Sequence, residues 1–208
     1  TDDAGEQELV WGMRRAGLSL LTSRKGPAKP VGFAEDVCVR PDRLPEYVQG
    51  LIEILTPLGL EASLYGHAAS GELHVRPILD LHKAEDIGKL RLVADQVSDL
   101  CLRMNGSLAA EHGVGLARTE YLEAHIGPEL SAATRAIKAL FDPLHVMNPG
   151  KIVADGRYRI DGDLRLGTGS DIALPFDEAY GWIGRDDGFI ANLDQCNGCG
   201  GCRKDPHT

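Results

Sequence analysis

Basic residues are in short supply: 22 Lys and Arg stand against 31 Asp and Glu, a net charge of −9 over 208 residues. That balance argues against a nucleic-acid backbone as the main partner, because such binders present a basic surface. Aromatics make up only 5% of the chain, so a core has to be built from Leu, Ile, Val and Ala. No apolar run approaches the roughly 20 residues needed to span a bilayer. The first residues show no secretory-leader pattern, so no such leader is expected, and no G-x-G-x-x-G dinucleotide fingerprint or internal repeat occurs in the 208 residues. The start at Thr1 rather than Met leads to the expectation of a processed product or a piece of something longer. What is present, 43% apolar and 25% charged residues, is globular composition. The length suits one domain with an appendage, or two small domains.

The five cysteines are unevenly placed: Cys38 and Cys101 stand alone, and Cys196, Cys199 and Cys202 crowd the end. A disulfide framework spreads its cysteines through the fold, so the expected compartment is reducing and cytoplasmic. Peripheral attachment to the inner face of the membrane stays compatible with this. Cys101 falls on the apolar side of a predicted helix and reads as a small core hydrophobe, and Cys38 lies in a strand-like run.

Hydrophobic spacing predicts helices over 6–21, 43–58, 83–105 and from about 128 to 141. The second carries Leu44, Val48, Leu51, Ile52 and Leu55 on one face, with Pro45 in its first turn and Gly59 at its stop. The third carries Ile87, Leu90, Ala94, Val97, Cys101 and Met104. Strands are expected over 31–40, 60–65, 73–77 and 107–110. The order strand, helix, strand, strand, helix, strand predicts an α+β fold of the ferredoxin-like split βαβ kind, an antiparallel sheet with helices on one face. Residues 154–195, rich in Gly and Asp with weak periodicity, read as an irregular arm.

Four constellations carry chemistry. In Gly66-His67-Ala68-Ala69-Ser70-Gly71-Glu72-Leu73-His74, two histidines flank a glycine-bounded turn. A hairpin there brings both imidazoles, the usual protein ligands of zinc-like metals, to one end of the sheet. Glu111-His112-Gly113-Val114-Gly115 follows the last predicted strand. Its carboxylate can complete a two-histidine, one-carboxylate set with open positions, and its imidazole can serve as a base near neutral pH. A glycine turn around a buried ion pair fits the spacing equally well. Arg14 and Lys29 suit a carboxylate ligand, although surface basicity is the simpler reading of residue type alone. Cys196-x2-Cys199-x2-Cys202 has the spacing of the leading part of an iron–sulfur loop, but Pro206 stands where a fourth cysteine belongs.

Several short motifs occur together in order: Tyr65-Gly66-His67, Leu73-His74-Val75-Arg76-Pro77, Glu111-His112-Gly113-Val114-Gly115, Phe141-Asp142-Pro143 and Asn148-Pro149-Gly150-Lys151. From about Trp11 to Ile152 the chain resembles the C-terminal, substrate-capping domain of FAD-linked oxidases of the D-lactate, glycolate and D-2-hydroxyglutarate dehydrogenase type. The cysteine tail resembles the start of the 4Fe-4S part of longer members. The resemblance divides the chain into a cap over 1–153, a linker over 154–195 and a truncated cluster motif over 196–208.

The resemblance implies roles for individual residues. His67, His74 and Glu111 match ligands of a divalent metal, usually zinc. His112 matches the proposed general base. Arg14 and Lys29 match positions that hold substrate carboxylates, which reverses the simpler reading of that pair. Arg76 joins the substrate-binding set, and Asn148 lies in a segment that runs near the flavin. FAD itself is expected to bind mainly to a domain upstream of Thr1, so that this chain alone does not turn over substrate. The reaction implied is oxidation of a D-2-hydroxy acid, with electrons passing from FAD to the cluster and on to an acceptor. The pattern departs from the family in places: the usual His loop reads G-H-x-G-D-G-N-L-H, whereas Ala69, Ser70 and Glu72 replace its G, D and N. Leu18 stands where relatives of the hydroxyglutarate enzyme carry a hydroxyl. Two other classes fit the same residues: a metal-dependent hydrolase built on His67, His74 and Glu111, and a non-catalytic electron-transfer or docking module ending in the cysteines.

Overall fold

The structure, a computed structural model, describes residues 2–165, 167–169, 173–177, 188–196 and 203. In chain order its elements are α1 (Ala4–Thr22), β1 (Lys29–Pro30), β2 (Val37–Cys38), α2 (Leu44–Leu55), β3 (Ala62–His67) and β4 (Glu72–Leu79). Then come α3 (Ala84–Arg103), α4 (Gly115–Phe141) and α5 (Gly188–Asp194). Residues 30–168 form one compact unit, and residues 1–29 with 169–208 form another. Helix and antiparallel sheet are mixed, as expected of an α+β fold. No described helix is long and apolar enough to cross a membrane.

The sheet of the larger unit is organised around β4. Along one edge it pairs antiparallel with β3, from Ala62 opposite Pro77 to His67 opposite Glu72. Along the other it meets β2, with Val37 opposite Leu73 and Cys38 opposite Glu72. Farther along that edge, the Val31 N–H donates to the Pro77 carbonyl at 2.9 Å. The expected continuous strand over 31–40 is therefore interrupted. Phe33, Ala34 and Asp36 are buried, so this stretch turns inward to pack instead of extending the ladder. On the far side of β2, Cys38 exchanges two backbone hydrogen bonds with Ser107, at 2.9 and 2.8 Å. The expected fourth strand is a single bridge there. Ser107 Oγ bonds both the N–H and the carbonyl of Ala109, a local turn that competes with sheet pairing.

The turn between β3 and β4 fixes the register. Gly71 adopts φ 76°, and a Cβ there would lie 1.8 Å from the Val39 carbonyl oxygen. The Gly71 carbonyl in turn accepts from the Val39 N–H at 3.0 Å. Only glycine satisfies both the left-handed backbone and this close approach. Because side chains alternate along a strand, Tyr65, His67, Glu72, His74 and Arg76 share one face of the hairpin. Leu73, Val75 and Leu79 share the other.

That second face carries the core. Val75 and Leu79 belong to a cluster with Val37 and Val39 of the sheet region, Tyr47, Leu51 and Leu55 of α2, and Leu90, Val93, Ala94, Val97 and Cys101 of α3. Each fully buried aliphatic side chain of this kind contributes about 1.5–3 kcal/mol. The α3 face matches expectation, including Cys101, which is 0% exposed. The α2 face is rotated from it. Tyr47, Leu51 and Leu55 point inward while Ile52 is 48% exposed, because the tyrosine ring outweighs the smaller aliphatics as a filler of the gap.

Two further differences concern helices. The helix expected from about residue 128 is the second half of α4, whose non-helical Gly127 (φ 80°) precedes Pro128. Proline suits a first helical turn. The first half, 115–126, is tied to α3 by polar contacts. Arg91 grips Glu120 with two nitrogens at 2.7 and 2.5 Å. Tyr121 donates to Asp95 at 2.8 Å, and Ser98 meets His125 at 3.0 Å. Within the expected irregular arm, α5 forms a short helix.

Candidate metal centre

His74 is the buried anchor, with its side chain 3% exposed. Its Nδ1 lies 2.9 Å from the carbonyl oxygen of Glu35. A carbonyl only accepts, so in the neutral ring Nδ1 carries the proton and Nε2 keeps its lone pair. That Nε2 faces Glu111 Oε1 at 3.2 Å and Glu72 Oε1 at 3.4 Å. His67, the cross-strand partner of Glu72, places its Nε2 at 3.6 Å from the same Glu111 oxygen.

One donor atom from each of His67, Glu72, His74 and Glu111 therefore lies within 4.8 Å of the other three. These separations exceed the roughly 2.7–2.9 Å of charge-assisted hydrogen bonds. They match the spacing of about 3.3 Å between donors arranged tetrahedrally at about 2.0–2.1 Å from a common centre. The four groups converge on a shared space more than they bond one another. Imidazole and carboxylate donors in that arrangement fit a divalent cation.

Glu72 is the unexpected member. Its side chain is 6% exposed, and Oε1 has no hydrogen-bond partner. Burial pushes its carboxyl up from the usual range, and the nearby Glu111 charge pushes it further, against the pull of His74 and His67.

His112 stacks on His74, with ring centres 5.0 Å apart and planes 11° from parallel. Its Nδ1 lies 3.4 Å from Glu35 Oε1 and 3.7 Å from Asp36 Oδ1, and its Nε2 lies 3.5 Å from Glu111 Oε1. Asp36 is fully buried and accepts from the backbone N–H of Glu111 at 3.2 Å and of His112 at 3.0 Å. Glu35 and Asp36 thus position both residues of the Glu-His pair, and the sequence reading missed them. Two adjacent acids inside an otherwise apolar, strand-like run were the available signal.

Arg76, expected in the substrate-binding set, has partners within the chain. Its Nη2 pairs with Glu35 at 2.6 Å and its Nε donates to the Tyr65 hydroxyl at 3.0 Å. The guanidinium is committed to the residue that also contacts His74 and His112. Arg14 is exposed on α1. Lys29 Nζ donates to the Arg24 carbonyl and, at 2.8 Å, to Gln195 Oε1, and burial lowers its pKa. Both belong to the smaller unit. So does Cys196, which is exposed after α5. Cys199, Cys202 and the side chain of Leu18 lie outside the described residues.

A model of the C-terminal domain of FAD linked oxidases matches residues 1–152. The chain belongs to that family. It is 36% identical to the D-2-hydroxyglutarate dehydrogenase of Haemophilus influenzae, over 94% of this chain and 18% of that protein. It is 41% identical to the D-2-hydroxyglutarate dehydrogenase of Escherichia coli, over 70% of this chain and 14% of the relative. Glycolate oxidase subunit GlcD of Bacillus subtilis is 30% identical over 71% of this chain and 31% of its own length. The chain therefore spans less than a fifth of the two dehydrogenases and under a third of the oxidase subunit.

Within this family member, the segment carrying Asn148 is held by Asp142. Asp142 is 2% exposed and accepts from Lys138 Nζ at 2.6 Å and from the N–H groups of Val146 and Met147 at 2.9 and 3.0 Å. Asn148 itself is exposed at φ 45°. The Lys138 hydrogen bond, aided by the two backbone donors and opposed by burial, holds the Asp142 carboxyl down to about 2. A depressed pKa contributes stability above the unfolded value near 3.9, and this is lost as pH falls through about 2. Asp142→Asn is expected to lower stability at neutral pH and to flatten its decline between about pH 4 and 2. Thermal unfolding across that range checks it: parallel pH curves for the two proteins would remove Asp142 from the account.

Proposed function

We propose that the chain is the substrate- and metal-binding part of a flavin-dependent dehydrogenase that oxidises a D-2-hydroxy acid to the 2-oxo acid. The observation that carries this reading is the convergence of His67, His74 and Glu111 on one space, with His112 stacked beside them. The names of the relatives make D-2-hydroxyglutarate the first substrate to test, followed by D-lactate and glycolate.

His67, His74 and Glu111 would hold a divalent metal, with zinc as the first choice. Such a metal supplies Lewis acidity toward the substrate hydroxyl. FAD, held mainly by a domain upstream of Thr1, would accept the hydride that leaves substrate C2. His112 takes the hydroxyl proton, and Glu35 and Asp36 hold its ring in place through Nδ1. Arg14 and Lys29 hold substrate carboxylate. Asn148 borders the flavin side. Nearby, Leu140, Phe141, Leu144 and Val146 are 74–81% exposed, an apolar surface suited to cover by another domain. Arg76 contributes to substrate binding through Glu35 and the stacked histidines and not by direct contact.

The finer organisation is proposed on the same footing. The strand order Ser107 bridge, β2, β4, β3 supports the ferredoxin-like split arrangement. The cap runs over 1–153, the arm over 154–195 and a truncated 4Fe-4S motif over 196–208, in which Cys196, Cys199 and Cys202 would hold a cluster able to take electrons from FAD. The uneven placement of the cysteines supports a reducing, cytoplasmic compartment, with the inner membrane face as a place where an acceptor can be met.

The test is anaerobic mixing of the full-length flavoprotein with the three hydroxy acids while following bleaching of the flavin. One D-acid is expected to reduce the flavin and its L-enantiomer not. Chelation should abolish reduction, and zinc should restore it. Reduction that is indifferent to chelation, or none with any of these acids, would defeat the proposal.

A further inference from the structure

We infer that Glu72 is a fourth protein ligand of the same centre, making it a two-imidazole, two-carboxylate site. The inference rests on the metal reading above and adds to it a residue that stands where the family pattern has Asn.

Three facing lone pairs carry the argument. With Nδ1 of His74 engaged by the Glu35 carbonyl, its Nε2 has no proton to offer in the neutral ring. Glu72 Oε1 at 3.4 Å and Glu111 Oε1 at 3.2 Å are acceptors too. Acceptors pointed at one another repel unless a proton or a metal cation stands between them, and a metal cation serves all three at once. The guanidinium on the same face of the hairpin, Arg76, is paired with Glu35. Among the described residues, the only basic side chain within 4 Å of the Glu72 carboxylate is His74, which in its neutral form is no cation.

Burial sharpens the point. A carboxylate that is 6% exposed, with an oxygen that no donor satisfies, is costly to keep beside a second carboxylate. Such an orphaned group calls for a specific explanation, and a shared cation supplies one. The hairpin register supports it. His67 and Glu72 are directly opposed, and His74 follows two residues on, so one strand pair presents three donors on one face. With two carboxylates bound, a divalent ion carries no net charge, against one positive charge in a site with Glu111 alone. The oxygen-richer set widens the range of accepted metals from zinc toward manganese.

The test is metal binding by the full chain, with no flavin and no turnover required. Metal-free protein whose Cys196, Cys199 and Cys202 are all replaced by Ser, so that those thiols do not compete for zinc, is titrated with zinc against a competing chelator, with the site unaltered (called wild type below) and as Glu72→Gln, Glu72→Asp and His67→Ala. One zinc per wild-type chain is expected. Glu72→Gln should weaken binding by more than about 100-fold, beyond what residues surrounding a metal's ligands contribute. Glu72→Asp should recover part of the loss. If the Gln variant does not fold, infrared difference spectra of wild type with and without zinc answer the same question. Two shifted carboxylate bands support Glu72 as a ligand, and one band overturns it. Zinc binding that is lost in His67→Ala but changed less than threefold in Glu72→Gln would overturn this inference alone. Failure of the wild type to bind any divalent metal would overturn it together with the metal reading.

Discussion

Replacing His112 with Asn in the full-length enzyme is expected to slow flavin reduction by the hydroxy acid about 10²–10⁴-fold, the usual worth of a positioned general base. The proposed role fits the placement of the ring, which is 39% exposed. It stacks on His74, which keeps it beside the metal-type donors. Glu35 and Asp36 both face Nδ1, which favours a proton there and leaves Nε2 as the acceptor toward the substrate side. Asn retains an N–H near the Nδ1 position, so the contact with the acids is kept and proton acceptance is lost. A loss confined to the rate of reduction, with KM changed less than about threefold and zinc content retained, fits this role. A matching rise in KM with the rate preserved would make His112 a binding residue. An unchanged rate would remove it from the chemistry.

The parts of this arrangement that were legible in the sequence share a physical reason. α3 shows its inward face because Leu90, Ala94, Val97 and Cys101 recur at helical spacing and are buried for that reason. His67, His74, Glu111 and His112 stood out because donor types of metal chemistry flank glycine-rich turns, and the hairpin register brings the first two together. What stayed hidden depends on contacts that leave no periodic trace. The first half of α4 is held by Arg91, Asp95 and Ser98 reaching across from α3, so a search for an apolar stripe does not find it. The run 31–40 looked like one strand because its β-branched and aromatic residues are strand formers. The break within it puts Glu35 and Asp36 behind the site. Arg76 shows what residue type leaves out: its pairing with Glu35 depends on the inward turn of residues 33–36, which has no trace in the spacing.

Asp36→Ala is expected to cost about 2–5 kcal/mol of stability and to weaken zinc binding about 10–100-fold. Asp36 is 0% exposed, and its two oxygens accept from consecutive backbone N–H groups, those of Glu111 and His112. Truncation leaves both donors without partners, and each unsatisfied buried group costs about 1–3 kcal/mol. It also removes the acid 3.9 Å from Arg118, whose side chain is 11% exposed. Against a typical total of about 5–15 kcal/mol this is a large share. The link to function runs through the backbone. Two adjacent peptide N–H groups fixed by one carboxylate set the direction of both side chains, so loosening them moves the Glu111 carboxylate and the His112 ring together. Asp36→Asn separates the two effects. Its amide oxygen can still accept one N–H, while its NH₂ group meets the other N–H donor to donor, so it should retain part of the stability yet leave one of the two residues unpinned. Urea unfolding and zinc titration on the two variants provide the measurements. A change in stability below about 0.5 kcal/mol in Asp36→Ala, the scale of an ordinary surface substitution, would show that the Glu111–His112 turn holds its shape without this acid. Zinc affinity would then be expected to stay at the wild-type value as well, because nothing else in the cradle would have moved.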